Sequence, residues 1–134
     1  MIMNLFVMSQ ATAEMYAKTE VGQQACYISI TSPNQSNADL TPVPEENILR
    51  LQFDDVDSGK TAITLLDAQK ILEFVQQDDI RVLVVHCGAG VSRSAGVAAA
   101  ISEIFWGSSE QFFERYVPNR LCYRTVLSAY HTGE

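Results

Sequence analysis

The sequence predicts an α/β fold: one domain over residues 1–134, with a mostly parallel central sheet flanked by helices. Two observations carry this. Strand-like and helix-like segments alternate along the chain, the pattern of a parallel sheet with helical crossovers. One of the strands, Arg81-Val82-Leu83-Val84-Val85, is apolar almost throughout, as a strand covered on both faces has to be. Length and composition agree, because 134 residues with 47% hydrophobic content fill one core and leave no room for a second.

The elements follow in order. Asn4-Leu5-Phe6-Val7-Met8 is a short apolar run suited to a buried strand, and the helix formers from Ala11 to Glu20 predict a helix after it. Ala25 to Ile30 reads as a second strand. From Thr31 to Asn47 the composition shifts to Ser, Pro, Asn and Asp, and Pro33, Pro42 and Pro44 deny the backbone both helix continuity and ladder donors, so this stretch is expected to be a surface loop. Ile48 to Phe53 returns to strand character and runs into the acidic turn Asp54 to Gly59. Leu65, Ala68, Leu72 and Val75 recur at helical spacing with Ile71 in the same stripe. After the Arg81 to Val85 strand come a loop with two glycines and a small-residue helix from Ser94 to about Trp106. Ser108 is placed to cap a further helix with Glu110 in its first turn, and Asn119 to cap a last one after Pro118.

Charge and cysteine usage exclude several function classes. Nine Lys and Arg against 16 Asp and Glu give a net charge of −7, the wrong sign for a nucleic-acid backbone or an anionic membrane. Cys26, Cys87 and Cys122 are odd in number and scattered, with only His86 and His131 to help them, so neither a disulfide framework nor a zinc site is indicated. Ala11-Thr12-Ala13 mimics a signal cleavage site, but no positive region precedes it and Asn4 interrupts the apolar run. No apolar run reaches the ~18 residues that span a bilayer. A cytoplasmic location is expected.

The segment that decides the reading is His86-Cys87, five residues, then Arg93-Ser94, at the end of a predicted buried strand and the start of a helix. Open α/β sheets bind ligands there. Gly88 and Gly90 let the backbone curl, so that the N–H groups of the Gly88-Ala89-Gly90-Val91-Ser92 loop converge with the helix N-terminus on a group the size of phosphate. Arg93 adds a planar, two-pronged donor for two phosphate oxygens. The same field lowers the pKa of the Cys87 thiol, and a thiolate in a phosphate cradle is a nucleophile aimed at phosphorus.

His86-Cys87-Gly88-Ala89-Gly90-Val91-Ser92-Arg93-Ser94 resembles the HC-x5-R-S/T signature of the cysteine-based protein phosphatases, nearest to the small dual-specificity group. Ile48 to Asp55 resembles the strand and turn that carry that family's general acid, and Val117-Pro118-Asn119 resembles its Ser-Pro-Asn segment, so the resemblance runs from about Ile48 to Tyr130. It implies a single dual-specificity phosphatase-like catalytic domain and a phosphomonoester hydrolase working through a phosphocysteine intermediate. The implied substrate is a phosphorylated protein or small phosphoester, and no metal or other cofactor is implied. The chain is too short for the larger tyrosine-specific enzymes, and its signature lies too far along for the low-molecular-weight group. Loop residues without Lys or His disfavour phosphoinositides.

By the same resemblance, Cys87 is the nucleophile, Arg93 holds the phosphoryl group, Ser94 donates to the sulfur, and His86 orients the loop from behind. The family's acid lies about 30 residues before the cysteine, a spacing that both Asp55 and Asp57 satisfy. Alignment of the strand-to-turn pattern favours Asp55, with Asp57 as the alternative and Asp54 behind both. Cys26 and Cys122 sit in apolar patterns and are expected to pack in the core. Gly96 and Ala98 to Ala100 are expected to serve close helix-to-sheet packing, and Arg120 and Arg124 to face solvent. Two other classes compete. One is a phosphate-binding module without turnover, which would have lost the Cys, Arg or acid, all present here; the other is a sulfur-transfer or arsenate-reducing enzyme, which would need a resolving thiol.

Overall fold

The computed structural model describes residues 2–77 and 79–133. Four strands, β1 (Asn4–Ser9), β2 (Cys26–Thr31), β3 (Ile48–Gln52) and β4 (Val82–Cys87), form one sheet in the order β1-β4-β2-β3. Every pairing is parallel: Leu83 of β4 lies opposite Leu5 on one side and Cys26 on the other, and Ile28 of β2 lies opposite Leu49. The interior place of β4 explains its apolar run, since Leu83 to Cys87 are all buried between two neighbours and two covering layers.

Five helices cover the sheet: α1 (Gln10–Tyr16), α2 (Leu65–Val75), α3 (Arg93–Trp106), α4 (Glu110–Arg115) and α5 (Arg120–Thr132). Their ends follow from local chemistry. Ser9 caps α1 by accepting from the Thr12 amide at 3.1 Å, and Thr64 and Asp67 form a reciprocal capping box on α2. Gly107, at φ 74°, closes α3 in the left-handed conformation. Asn119 caps α5 as expected, accepting from the Cys122 amide at 2.9 Å.

Three expectations about element ends and loops need correction. The first helix stops at Tyr16, four residues short of Glu20, because the Thr19 hydroxyl donates to the Tyr16 carbonyl and Gly22 packs back against it. The residue before α4 is Ser109, not Ser108; its hydroxyl donates to Glu103, while the Ser108 carbonyl accepts from Ser102. The proline-rich stretch after β2 is not simply a surface loop. Ala38, Leu40 and Val43 are buried, and Arg50 of β3 ties the segment down with a two-pronged bond to Glu45 and a 3.1 Å bond to the Ala38 carbonyl.

The period-2 alternation of the strands divides the core. Tyr27 and Val84 face α1 and the 38–43 segment with Ala13, Ala17 and Ile48. Ile28, Ile30, Leu83, Val85 and Cys87 face the opposite layer with Ile71, Val97, Ala98 to Ile101 and Val126 of α2, α3 and α5. Within that layer Gly96 serves the approach of α5 to α3 and not packing on the sheet, since a Cβ there would lie 3.0 Å from Cys122 Cβ and collide with the Asn119 carbonyl. No helix among the described residues is long and apolar enough to cross a membrane.

Candidate active site

Cys87 ends β4 and Arg93 begins α3, so residues 88–92 form a loop at the carboxyl end of the central strand. Three of its carbonyls are bound from outside. Gly88 O accepts from the Gln10 amide at 3.1 Å, Val91 O from Val117 at 3.1 Å, and Ser92 O from Asn119 at 2.9 Å. The amides of Ala89, Val91 and Ser92 are committed to no backbone carbonyl among the described residues. Carbonyls fixed outward and amides left over are what an anion nest requires. Gly90 (φ 74°) is obligatory, because any Cβ there would collide with the backbone of Met8 and Ser9. The Val117-Pro118-Asn119 segment thus acts on the loop as a backbone brace.

Cys87 is 3% exposed, with its Sγ 3.1 Å from Ser94 Oγ. Burial pushes the thiol pKa up, but the Ser94 hydroxyl, the Ser94 and Gly90 amides and the Arg93 charge together outweigh it and hold the thiol below its ordinary value. The other cysteines are opposite in character. Burial, reinforced by the Asp55 carboxylate, pushes Cys122 up to about 12, and burial also raises Cys26. Both pack in or against the core as expected.

Arg93 is fixed from behind: Nη1 donates to the Phe53 carbonyl at 2.9 Å and to Ser32 Oγ at 3.0 Å. Its Nη2 reaches over the loop, close enough that a Cβ on Gly88 would lie 3.5 Å away. The guanidinium is therefore held across the loop mouth by the residues that immediately follow β2 and β3, and not by the loop itself. Ser32 escaped sequence reasoning, because a serine in a Ser-, Pro- and Asn-rich stretch carries no signal of its own.

Asp55, on the turn after β3, is held against the 88–92 loop. Its Oδ1 accepts from Ser92 Oγ at 2.7 Å and from Asn119 Nδ2 at 2.8 Å. Ser92 precedes α3, where a serine hydroxyl ordinarily caps the helix, yet it makes no cap bond and turns to Asp55 instead. Asn119 binds both Asp55 and the Val56 carbonyl, fixing the turn. Asp57 is exposed, lines with Asp55 an open cleft beside the start of α5, and makes no hydrogen bond to the loop among the described residues. The Asp54 amide donates to Thr61 O at 2.7 Å, closing the base of the turn.

His86 points to the other face of the sheet, fully buried. Its Nδ1 lies 3.4 Å from the Cys87 carbonyl and its Nε2 2.7 Å from Ser29 Oγ. A carbonyl only accepts, so Nδ1 carries the proton, and Ser29 donates to Nε2. Burial lowers the His86 pKa and keeps the ring neutral, though the bond to the Cys87 carbonyl opposes the shift. Ser29, on β2, is the second residue that sequence reasoning missed; it reads there as an interruption of an apolar strand.

No family model and no curated protein matches this sequence. Solved structures do. The Cydia pomonella PTP-2 phosphatase aligns with a TM-score of 0.69 at 18% identity, over 93% of this chain and 84% of that one. Human DUSP28 aligns with a TM-score of 0.62 at 20% identity, over 97% and 95%. PTPMT1 aligns with a TM-score of 0.55 at 18% identity, over 96% and 90%. Sequence identities this low speak for architecture alone, and the resemblance read from the signature holds at that level: this chain has the fold of the cysteine-based, dual-specificity-like phosphatases.

Proposed function

We propose that this protein is a metal-independent phosphomonoester hydrolase of the protein tyrosine/dual-specificity phosphatase class, acting on a phosphorylated protein or small phosphoester through a phosphocysteine intermediate. The observation that carries the reading is the juxtaposition of three features: a Cys87 thiol with a lowered pKa, a loop with uncommitted amides, and an Arg93 guanidinium braced across its mouth. In the first step the loop amides and Arg93 bind the three non-bridging oxygens, and their fixed dipoles meet the charge that develops in the transition state. The Cys87 thiolate forms the S–P bond as the bond from phosphorus to the leaving oxygen breaks. Asp55 delivers its proton to that oxygen.

In the second step water attacks the phosphocysteine and passes a proton to the Asp55 carboxylate. The S–P bond breaks, orthophosphate leaves, and Ser94 donates to the departing thiolate, 3.1 Å from its hydroxyl. Ser92 and Asn119 hold Asp55 at the loop for both proton transfers. His86 and Ser29 keep the end of β4 in place from the opposite face.

Single-turnover mixing of wild-type protein with a phosphotyrosine peptide tests this. Release of one equivalent of orthophosphate, preceded by a protein-bound phosphoryl group on Cys87, is expected. Tight binding without release would replace the hydrolase with a phosphate-binding module.

A further inference from the structure

Beside the candidate active site runs an open cleft of about 680 Å³ between the 55–57 turn and the start of α5, lined in part by Arg120 and Arg124. Asp55 belongs to both, so a chain lying in the cleft is continuous with the phosphoryl group on Cys87. Arg120 and Arg124 are four residues apart on α5 and share one face. Both are exposed, and neither makes an ion pair among the described residues. Arg120 is preset, its guanidinium stacked 5.2 Å above the Phe113 ring.

Helix stability does not explain this pair. Cations in the first turns oppose the helix dipole, and like charges four apart repel. The chain as a whole carries −7, so two arginines that make no ion pair among the described residues stand out at the mouth of this site, with Asp55 and Asp57 on the facing turn. We propose that Arg120 and Arg124 recognise an acidic residue flanking the phosphorylated residue of a polypeptide substrate. The proposal rests on the hydrolase reading and supplies its substrate class. Asp57 lines the opposite wall, which places the acidic side chain of the substrate against α5. Val56 and Pro118 also line the cleft, and Val117, 78% exposed, supplies an apolar rim for an extended chain. A polypeptide is favoured over a bilayer because the net charge of the protein repels an anionic surface.

The test compares two phosphotyrosine peptides that differ only in flanking Asp-Glu or Asn-Gln. Wild-type protein is expected to prefer the acidic peptide in kcat/KM by about fivefold, the scale of an exposed charge contact. Arg124→Glu should abolish or invert that ratio, and Arg124→Gln, which removes the charge without reversing it, should reduce it. Equal rates on both peptides, or an acidic preference that survives both variants, would overturn the proposal. So would pelleting with phosphatidylserine vesicles that Arg124→Glu abolishes, which would assign the arginines to a lipid surface. The affinity ratio of the same peptides for Cys87→Ser protein separates the two readings. A ratio that responds to Arg124 while wild-type protein releases no phosphate would defeat the hydrolase and retain the acidic-flank site.

Discussion

Ser92 Oγ donates to Asp55 Oδ1 at 2.7 Å, joining the 88–92 loop to the turn after β3 across 37 residues of sequence. The bond has a local cost, because the hydroxyl that would cap α3 is turned away from the helix. Its consequence is that the Asp55 carboxyl is tied to the 88–92 loop. Asn119 makes the same tie from α5, its side chain binding Asp55 and its amide binding the Ser92 carbonyl.

Asp55→Asn is expected to lower kcat by ~10²–10⁴ on phenyl phosphate, the usual share of general acid catalysis, and to spare an ester whose leaving group needs no proton. Asp57→Asn should leave kcat on phenyl phosphate near the wild-type value. If Asp57→Asn causes the loss and Asp55→Asn does not, the acid is Asp57.

Ser92→Ala tests the link itself. Loss of one charge-assisted hydrogen bond, worth about 1.5–3 kcal/mol in full, is expected to lower kcat on phenyl phosphate about tenfold or more. Thermal stability should fall by no more than the worth of that bond, since no helix cap is removed with it. Equal losses on activated and unactivated esters would assign Ser92 to phosphate binding instead.

The Cys87 thiol, held below its ordinary pKa by the Ser94 hydroxyl, the neighbouring amides and Arg93 against the effect of burial, should react with iodoacetamide at neutral pH ahead of Cys26 and Cys122. Ser94→Ala should move the midpoint of the rate-against-pH curve upward. Mass-spectrometric mapping of the labelled residue against pH reads both effects.

Burial lowers the His86 pKa in the folded state, so the unfolded chain binds the proton first as pH falls. The sign follows: the stability that neutral His86 contributes is complete above the ordinary imidazole pKa and declines as pH drops through it toward the folded value. Urea unfolding at pH 7.5 and 5.5 should show this decline, and His86→Gln should flatten it. Ser29→Ala, which leaves Nε2 buried without its donor, should cost about 1–3 kcal/mol at either pH.

What the sequence made legible and what it hid divide along one physical line. Cys87, Arg93 and the two loop glycines are close in sequence, and strand, turn and helix signals fix their mutual placement, so the nest could be drawn from residues alone. A turn of three aspartates has no internal marker beyond the strand-to-turn pattern that favours Asp55 over Asp57, and the bonds from Ser92 and Asn119 that fall on Asp55 are not legible in sequence. Ser32 and Ser29 were invisible for the same reason. Each is a small polar residue whose meaning lies wholly in a partner on another strand or helix, Arg93 at 3.0 Å and His86 at 2.7 Å. The burial of Ala38, Leu40 and Val43 was hidden likewise, since three apolar residues among prolines and polar groups have no period to read.

The central claim, a cysteine nucleophile that needs no metal, meets its most direct test in the hydrolysis of p-nitrophenyl phosphate in excess EDTA by wild-type and Cys87→Ser protein. Full wild-type turnover under chelation, with Cys87→Ser reduced to background, is the expected result. Wild-type activity that requires an added divalent cation, or a Cys87→Ser protein that keeps its turnover, would contradict it.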